Sequence, residues 1–298
     1  MPQHNSRRDM IKKVATMAVA STIIPSLANR VSAHENVMEE KLKGKINHSV
    51  CQWCYNDISL DELCQAANQI GITSIDLVNP KDFDVLKKHG LTCAMVASNG
   101  PEWGITRGFN NPEYHEKLEA YFKEYIDATA KAGFKNLICF SGNRNGLSDQ
   151  KGIENCTKGL KRIIGYAEKK NVTLVMELLN SKVNHPDYQC DHTAWGVALC
   201  KSLGSENFKL LYDIYHMQIM EGDVIRNIQD HHQYIAHYHT GGVPGRNEID
   251  ETQELYYPAI MKAIYATGYT GFVAQEFIPK QTDKLASLKN AVHICDIG

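Results

Sequence analysis

Eight apolar runs, none longer than seven residues and each followed by a stretch with helical periodicity, leave few folds open to this chain. They are Ile46 to Cys51, TSIDLV from Thr73, LTCAMVA from Leu91, KNLICF from Lys135, VTLVMEL from Val172, FKLLYDI from Phe208, YIAHYHT from Tyr234 and GFVAQEF from Gly271. The intervening stretches carry helix punctuation. SLDELCQAANQIG opens on a capping Ser59 and closes on Gly71, the helix around DFDVLKKHG ends at Gly90, and Pro112 begins a helix that runs to about Ala132. Further helices are expected over 152–169, TAWGVALCKSLG, EGDVIRNIQD, LYYPAIMKAIYATG and DKLASLKNAVHICDI. Strict strand and helix alternation predicts an α/β fold, a closed (β/α)8 TIM barrel, and 298 residues suit one such domain. The open doubly wound sheet is the alternative. It wants a G-x-G-x-x-G turn after a strand, and neither that nor a P-loop occurs.

The opening, NSRRDMIKKVATMAVASTIIPSLANRVSAHEN, pairs Arg7 and Arg8 ahead of a modest apolar stretch and places small residues at Val31-Ser32-Ala33. Residues 1–33 therefore read as a twin-arginine export signal, which makes 34–298 the barrel domain and the periplasm its expected location. A retained basic arm is the competing reading. The stretch from Val14 to Ile24 is too short and broken for a stable membrane span. Arg7, Arg8, Lys12, Lys13 and Arg30 against Asp9 give this segment +4, so a formal charge of -2 leaves about -6 for the remainder. That balance gives a nucleic-acid partner no electrostatic support. Nine cysteines fall in or beside strand-like and helix-like apolar patterns, as small buried hydrophobes do. Cys51-Gln-Trp-Cys54 has redox spacing but no second pair accompanies it.

Chemistry concentrates where the later strands end. Glu177, Asp213, His239 and Glu276 close successive runs at separations of 36, 26 and 37 residues, each about one strand, crossover helix and return. A parallel barrel brings such ends to one rim, where polar side chains carry function. Three carboxylates and an imidazole suit one divalent ion, Mn²⁺, Mg²⁺, Co²⁺ or Zn²⁺, whose charge relieves their mutual repulsion. His237 shares a face with His239 one layer deeper, either holding a carboxylate or sitting as a hydrogen-bonded core residue. If a small hydroxy-carbonyl substrate chelates the ion, one glutamate can remove the activated C–H proton and the other can return it. Return to the neighbouring carbon isomerises aldose to ketose through an enediolate; return to the opposite face of the same carbon epimerises. His216, one turn past Asp213, would face the bound oxygens. Arg246 would clamp a carboxylate, hydroxyl or phosphate, or else remain a solvent-facing loop charge. Trp53 and Trp103 could wall the pocket or cap the barrel core, and the loop of Asn143, Arg144 and Asn145 would shape its mouth.

VMELLN, YDIYHMQ, the H-Y-H of strand seven followed by VPGR, and the terminal GFVAQEF resemble the hydroxypyruvate isomerase-like members of the xylose isomerase-like barrel superfamily, which also contains ketose 3-epimerases. The likeness runs from about Lys45 to Cys295. It implies one divalent ion held by Glu177, Asp213, His239 and Glu276, with Glu177 and Glu276 as the catalytic acid–base pair and His216 and Arg246 contacting a sugar or hydroxy-keto acid. His239 stands where the isomerases tend to carry Gln and the epimerases His. Two other readings are an exported, non-catalytic sugar-binding barrel and a metal-assisted hydrolase like the apurinic endonucleases of the superfamily. The latter wants more His and Asp on the early strands, where only Asp76 lies near a rim. Association into a homo-oligomer is left open.

Overall fold

Seven of the apolar runs form parallel strands: β1 (Asn47–Cys51), β2 (Ser74–Asp76), β3 (Asn136–Cys139), β4 (Thr173–Glu177), β5 (Phe208–Asp213), β6 (Ile235–Thr240) and β7 (Phe272–Gln275). The structure, a computed structural model, describes residues 41–298 apart from Asn99 and Pro101. The strands are ordered β2-β1-β7-β6-β5-β4-β3. The expected strand at 91–97 is instead an irregular stave that closes the ring. Thr92 bridges to Ser74, and Val96 bridges to both Val78 and Leu137. The break falls at Ala94, whose N–H donates to Ser74 Oγ at 2.8 Å and whose carbonyl accepts from Asn136 Nδ2 at 2.9 Å. Side chains there replace ladder bonds that a regular strand would make, so both backbone groups of Ala94 stay paired while the strand loses its pleat.

The coat comprises α1 (Leu60–Ile70), α2 (Phe83–Lys88), α3 (His115–Ala132), α4 (Asp149–Leu160), α5 (Ile164–Lys169), α6 (Thr193–Leu203), α7 (Ile214–Met220), α8 (Val224–His231), α9 (Tyr257–Ala266) and α10 (Lys284–Cys295). Ser59 caps α1 by accepting from Glu62 N at 3.2 Å, and Gly71 ends it at φ 94°, a left-handed conformation that glycine adopts without a Cβ clash. The helix expected over 152–169 is two helices, the first starting earlier because Ser148 accepts from Lys151 N. Helix α7 was not among the expected elements. It starts where Asp213 caps the His216 N–H, so the strand-end carboxylate also turns the chain into a helix.

Residues 41–298 form one compact unit. All nine cysteines are free and buried, as the small-hydrophobe reading expects, and Cys51 and Cys54 are not joined. The export-signal segment, 1–33, lies outside the described residues. Among the described residues no helix is long and apolar enough to cross a membrane.

His48, at the start of β1, is buried with neither ring nitrogen hydrogen-bonded, and Asp296 Oδ1 is 3.9 Å away. Burial, only partly opposed by Asp296, lowers its pKa from 6.5 to about 4. Below about pH 6.5 the unfolded chain takes up a proton that the folded chain refuses until about pH 4, so stability falls across that window as pH drops. The expected loss is up to about 3 kcal/mol. Urea unfolding between pH 7 and 4.5 should therefore show a shallower pH dependence in His48→Asn than in the wild type; identical slopes would refute the assignment.

Candidate metal and substrate site

Because all seven strands run in parallel, their C-terminal ends share one rim, and the four candidate ligands sit there. Glu177 ends β4, Asp213 ends β5, His239 is next to last in β6, and Glu276 follows β7 directly. Asp213 and His239 are register partners. One ligand atom from each of Glu177, Asp213, His239 and Glu276 lies within 4.8 Å of all the others. None of the four is more than 4% exposed. The residues chosen by their spacing thus converge on one buried point.

His239 Nδ1 is 2.7 Å from Glu276 Oε2 and 3.6 Å from Glu177 Oε1. Trp53 Nε1 donates to Glu276 Oε1 at 2.7 Å. Arg246 Nη2 donates to Asp213 Oδ2 at 2.9 Å and also to Glu276 Oε2, while its guanidinium lies 5.2 Å from the Trp53 ring centroid and 5.5 Å from that of Tyr215. Arg246 is therefore not a free loop charge; it is the buried counter-ion of the carboxylates. Its backbone sits at φ 59°, held by Arg246 N to Gly242 O at 2.8 Å and Ile278 N to Arg246 O at 2.7 Å. Such a left-handed conformation costs a bulky side chain about 1–3 kcal/mol.

These contacts drive the carboxyls apart in acidity. Burial works against charge on Glu276, but Arg246 and His239 overcome it, with further help from Trp53, and hold the group well below the usual carboxylate range. Burial raises Glu177, helped by its proximity to Glu276. Burial also pushes Asp213 up to about 7, against the pull of Arg246.

His216 is fully buried on the first turn of α7. Its Nδ1 accepts from Asn180 N at 3.2 Å and lies 2.6 Å from Asn180 Nδ2, which puts the ring proton on Nε2. Burial and then Arg246 hold its pKa well below the usual value, so the ring is a neutral donor. Nε2 has no hydrogen-bond partner and stands 3.6 Å from Asp213 Oδ2.

A cavity of about 280 Å³ opens beside the cluster, with Glu177, Arg246, Glu276 and Trp53 on its wall. This is near the lower end of small-molecule sites, roughly 300–1,000 Å³. Three expected substrate-contacting residues are not on its wall, the first being His216, fully buried and 3.6 Å from Asp213. Trp103 does not line it: its ring packs on Tyr114 at 5.4 Å and on the Arg107 guanidinium at 5.1 Å, so that loop contributes Ile105 instead. Asn143 does not line it either, because its backbone is tied to neighbouring loops through Thr106 O and Asn110 Nδ2. His185 and Phe140 are wall residues that the sequence did not single out for this role. Phe140 follows β3 as Glu276 follows β7, and that parallel was the available signal; Ile105 offered none.

The donor set fits a divalent ion. Three carboxyls and an imidazole supply oxygen and nitrogen at one point, and Glu177 Oε1 is buried there without a hydrogen-bond partner. A larger surface groove of about 530 Å³ near Lys81 and Glu124 has no comparable convergence of ligands among the described residues.

Known proteins agree with this architecture. The 2-oxo-tetronate isomerase of Cupriavidus necator is 35% identical over 114 residues, 38% of this chain and 43% of that protein. The alignment thus spans less than half of that relative's length. Hydroxypyruvate isomerase of Escherichia coli is 26% identical over 227 residues, 73% of this chain and 87% of that protein. The crystal structure of an AP endonuclease, family 2, from Brucella melitensis superposes with a TM-score of 0.74 at 24% identity, covering 82% of this chain and 96% of that one, and shares the fold. The xylose isomerase-like TIM barrel family matches residues 63–292, more than half of the chain, and this protein belongs to that family.

Proposed function

We propose that this protein is a divalent-metal-dependent isomerase of small hydroxy-carbonyl compounds, acting on a hydroxypyruvate-like or short sugar-acid substrate. One observation carries the reading: Glu177 and Glu276 converge beside a small cavity together with Asp213 and His239. The activities named for the Cupriavidus and Escherichia relatives support it.

Glu177, Asp213, His239 and Glu276 would hold the ion, which when bound polarises substrate oxygens and makes the intervening C–H more acidic. Glu276, kept ionised by Arg246, would take the proton. Glu177, the other glutamate of the cluster, would return one to the adjacent carbon while the substrate's hydroxyl proton passes to the former carbonyl oxygen. His216, which is not on the cavity wall, would act through Asp213, 3.6 Å from its Nε2, and Ile105 and Phe140 would limit water at the reacting carbon. With residues 1–33 as an export signal, the substrate would be met in the periplasm.

A ketose 3-epimerase is the second reading, favoured by His239 at the place where the isomerases tend to carry Gln. Both are tested in D2O with metal-loaded protein. Deuterium on the neighbouring carbon of hydroxypyruvate or a short sugar acid supports isomerisation. Deuterium at an inverted carbon of a ketose supports epimerisation. No exchange into either class would overturn the enzymatic reading in favour of a sugar-binding barrel.

A further inference from the structure

We propose that Asp76 is a positioning residue that fixes the His239 ring with Nδ1 toward the metal site; this rests on the metal-binding reading above. Asp76 ends β2, separated from β6 in the sheet by β1 and β7, and is fully buried. Its carboxylate crosses the barrel interior to both histidines of β6. Oδ2 lies 2.5 Å from His237 Nε2 and 3.5 Å from His239 Nε2. Oδ1 accepts from Ser49 Oγ at 2.5 Å and from Ser74 Oγ at 3.4 Å.

The two nitrogens of His239 thus face different partners. Nδ1 looks onto Glu177 and Glu276, and Nε2 looks onto Asp76, with Cys51 Sγ 3.7 Å away. An ionised carboxylate only accepts hydrogen bonds, so Asp76 favours a proton on Nε2; the proton that Nδ1 shares with Glu276 Oε2 at 2.7 Å is the one an ion would displace. His237 braces the same oxygen, its ring 5.1 Å from that of His239 and nearly perpendicular to it.

Asp76, His237 and His239 also have the donor types of a second metal site. Position argues against a role for such an ion in the chemistry. Asp76 and His237 are fully buried, already hydrogen-bonded to each other, and absent from the wall of the cavity that Glu177 and Glu276 line. Nor does packing alone explain the group, since a buried carboxylate costs several kcal/mol of lost hydration that an apolar side chain would not.

The test is calorimetric titration of chelator-stripped protein with Mn²⁺, in the wild type, Asp76→Asn, Asp76→Ala and Ser49→Ala, with circular dichroism of the metal-free proteins to establish folding. Affinity should fall by about 10- to 100-fold in the folded Asp76 variants. Ser49→Ala, which removes a hydroxyl that donates to Asp76, should weaken binding several-fold and decides the matter if neither Asp76 variant folds. The visible bands of bound Co²⁺ should shift as His239 loosens, and kcat should fall more than KM rises. Wild-type affinity and an unchanged Co²⁺ spectrum in every folded variant would overturn the proposal. A wild type that binds no divalent ion would instead overturn the metal-binding reading on which it rests.

Discussion

Glu276→Gln is expected to lower turnover by about 10²- to 10⁴-fold, the contribution typical of a positioned proton-transfer group. Glutamine keeps the shape and still accepts from Trp53 at the place of Oε1, so the fold should survive. It cannot take a proton from carbon, and it leaves Arg246 with a neutral partner where a carboxylate stood. Because Glu276 is also a candidate metal ligand, the variant is assayed at saturating metal, so that weakened metal binding is not read as lost proton transfer. Glu177→Gln should cost a similar factor, and the double variant little more, since both residues serve one transfer. Steady-state kinetics beside direct ligand titration separates the readings. Retained ligand affinity with lost turnover fits an isomerase or epimerase. An inert wild type whose ligand affinity is untouched by the substitution would sink the enzymatic reading and leave a sugar-binding barrel.

The four-residue cluster was legible in the sequence because barrel geometry turns spacing into position. A parallel ring gives every strand the same polarity, so residues closing consecutive runs must meet, as Asp213 and His239 do in register. Contacts made by loops were not legible. Trp103 and Ile105 are two residues apart in one loop, and which of them reaches the cavity depends on Arg107 and Tyr114 drawing the indole away. Arg246 was visible as a charge near the rim, but its role as counter-ion follows from a left-handed backbone that only the folded loop imposes. Asp76 looked unpromising because its partner His237 is 161 residues distant, a separation that no local pattern bridges. The stave at 91–97 carried a strand-like pattern yet lost its ladder to Ser74 and Asn136, side chains of neighbouring strands.

Chelation of divalent ions is expected to abolish turnover, with recovery on adding back at least one of Mn²⁺, Mg²⁺, Co²⁺ or Zn²⁺. Without an ion, three carboxyls crowd one point and Arg246 and His239 are the cations facing them, so occupancy should stabilise the folded state as well as activate it. At a free metal concentration of 100 times Kd the linkage is about 2.7 kcal/mol. For a domain of this size that corresponds to a rise in Tm of roughly 5–11 °C. Asp213→Asn separates this effect from folding. Asparagine is as good a helix cap as aspartate, so the His216 N–H and α7 keep their start. The variant lacks the ligand charge and one of the two carboxylate partners of Arg246 but keeps its pairing with Glu276, and should therefore fold, show little or no metal-dependent rise in Tm, and turn over at a small fraction of the wild-type rate. A stripped wild type that retains full activity, or a melting curve that none of the four ions moves, would remove the divalent ion from the mechanism.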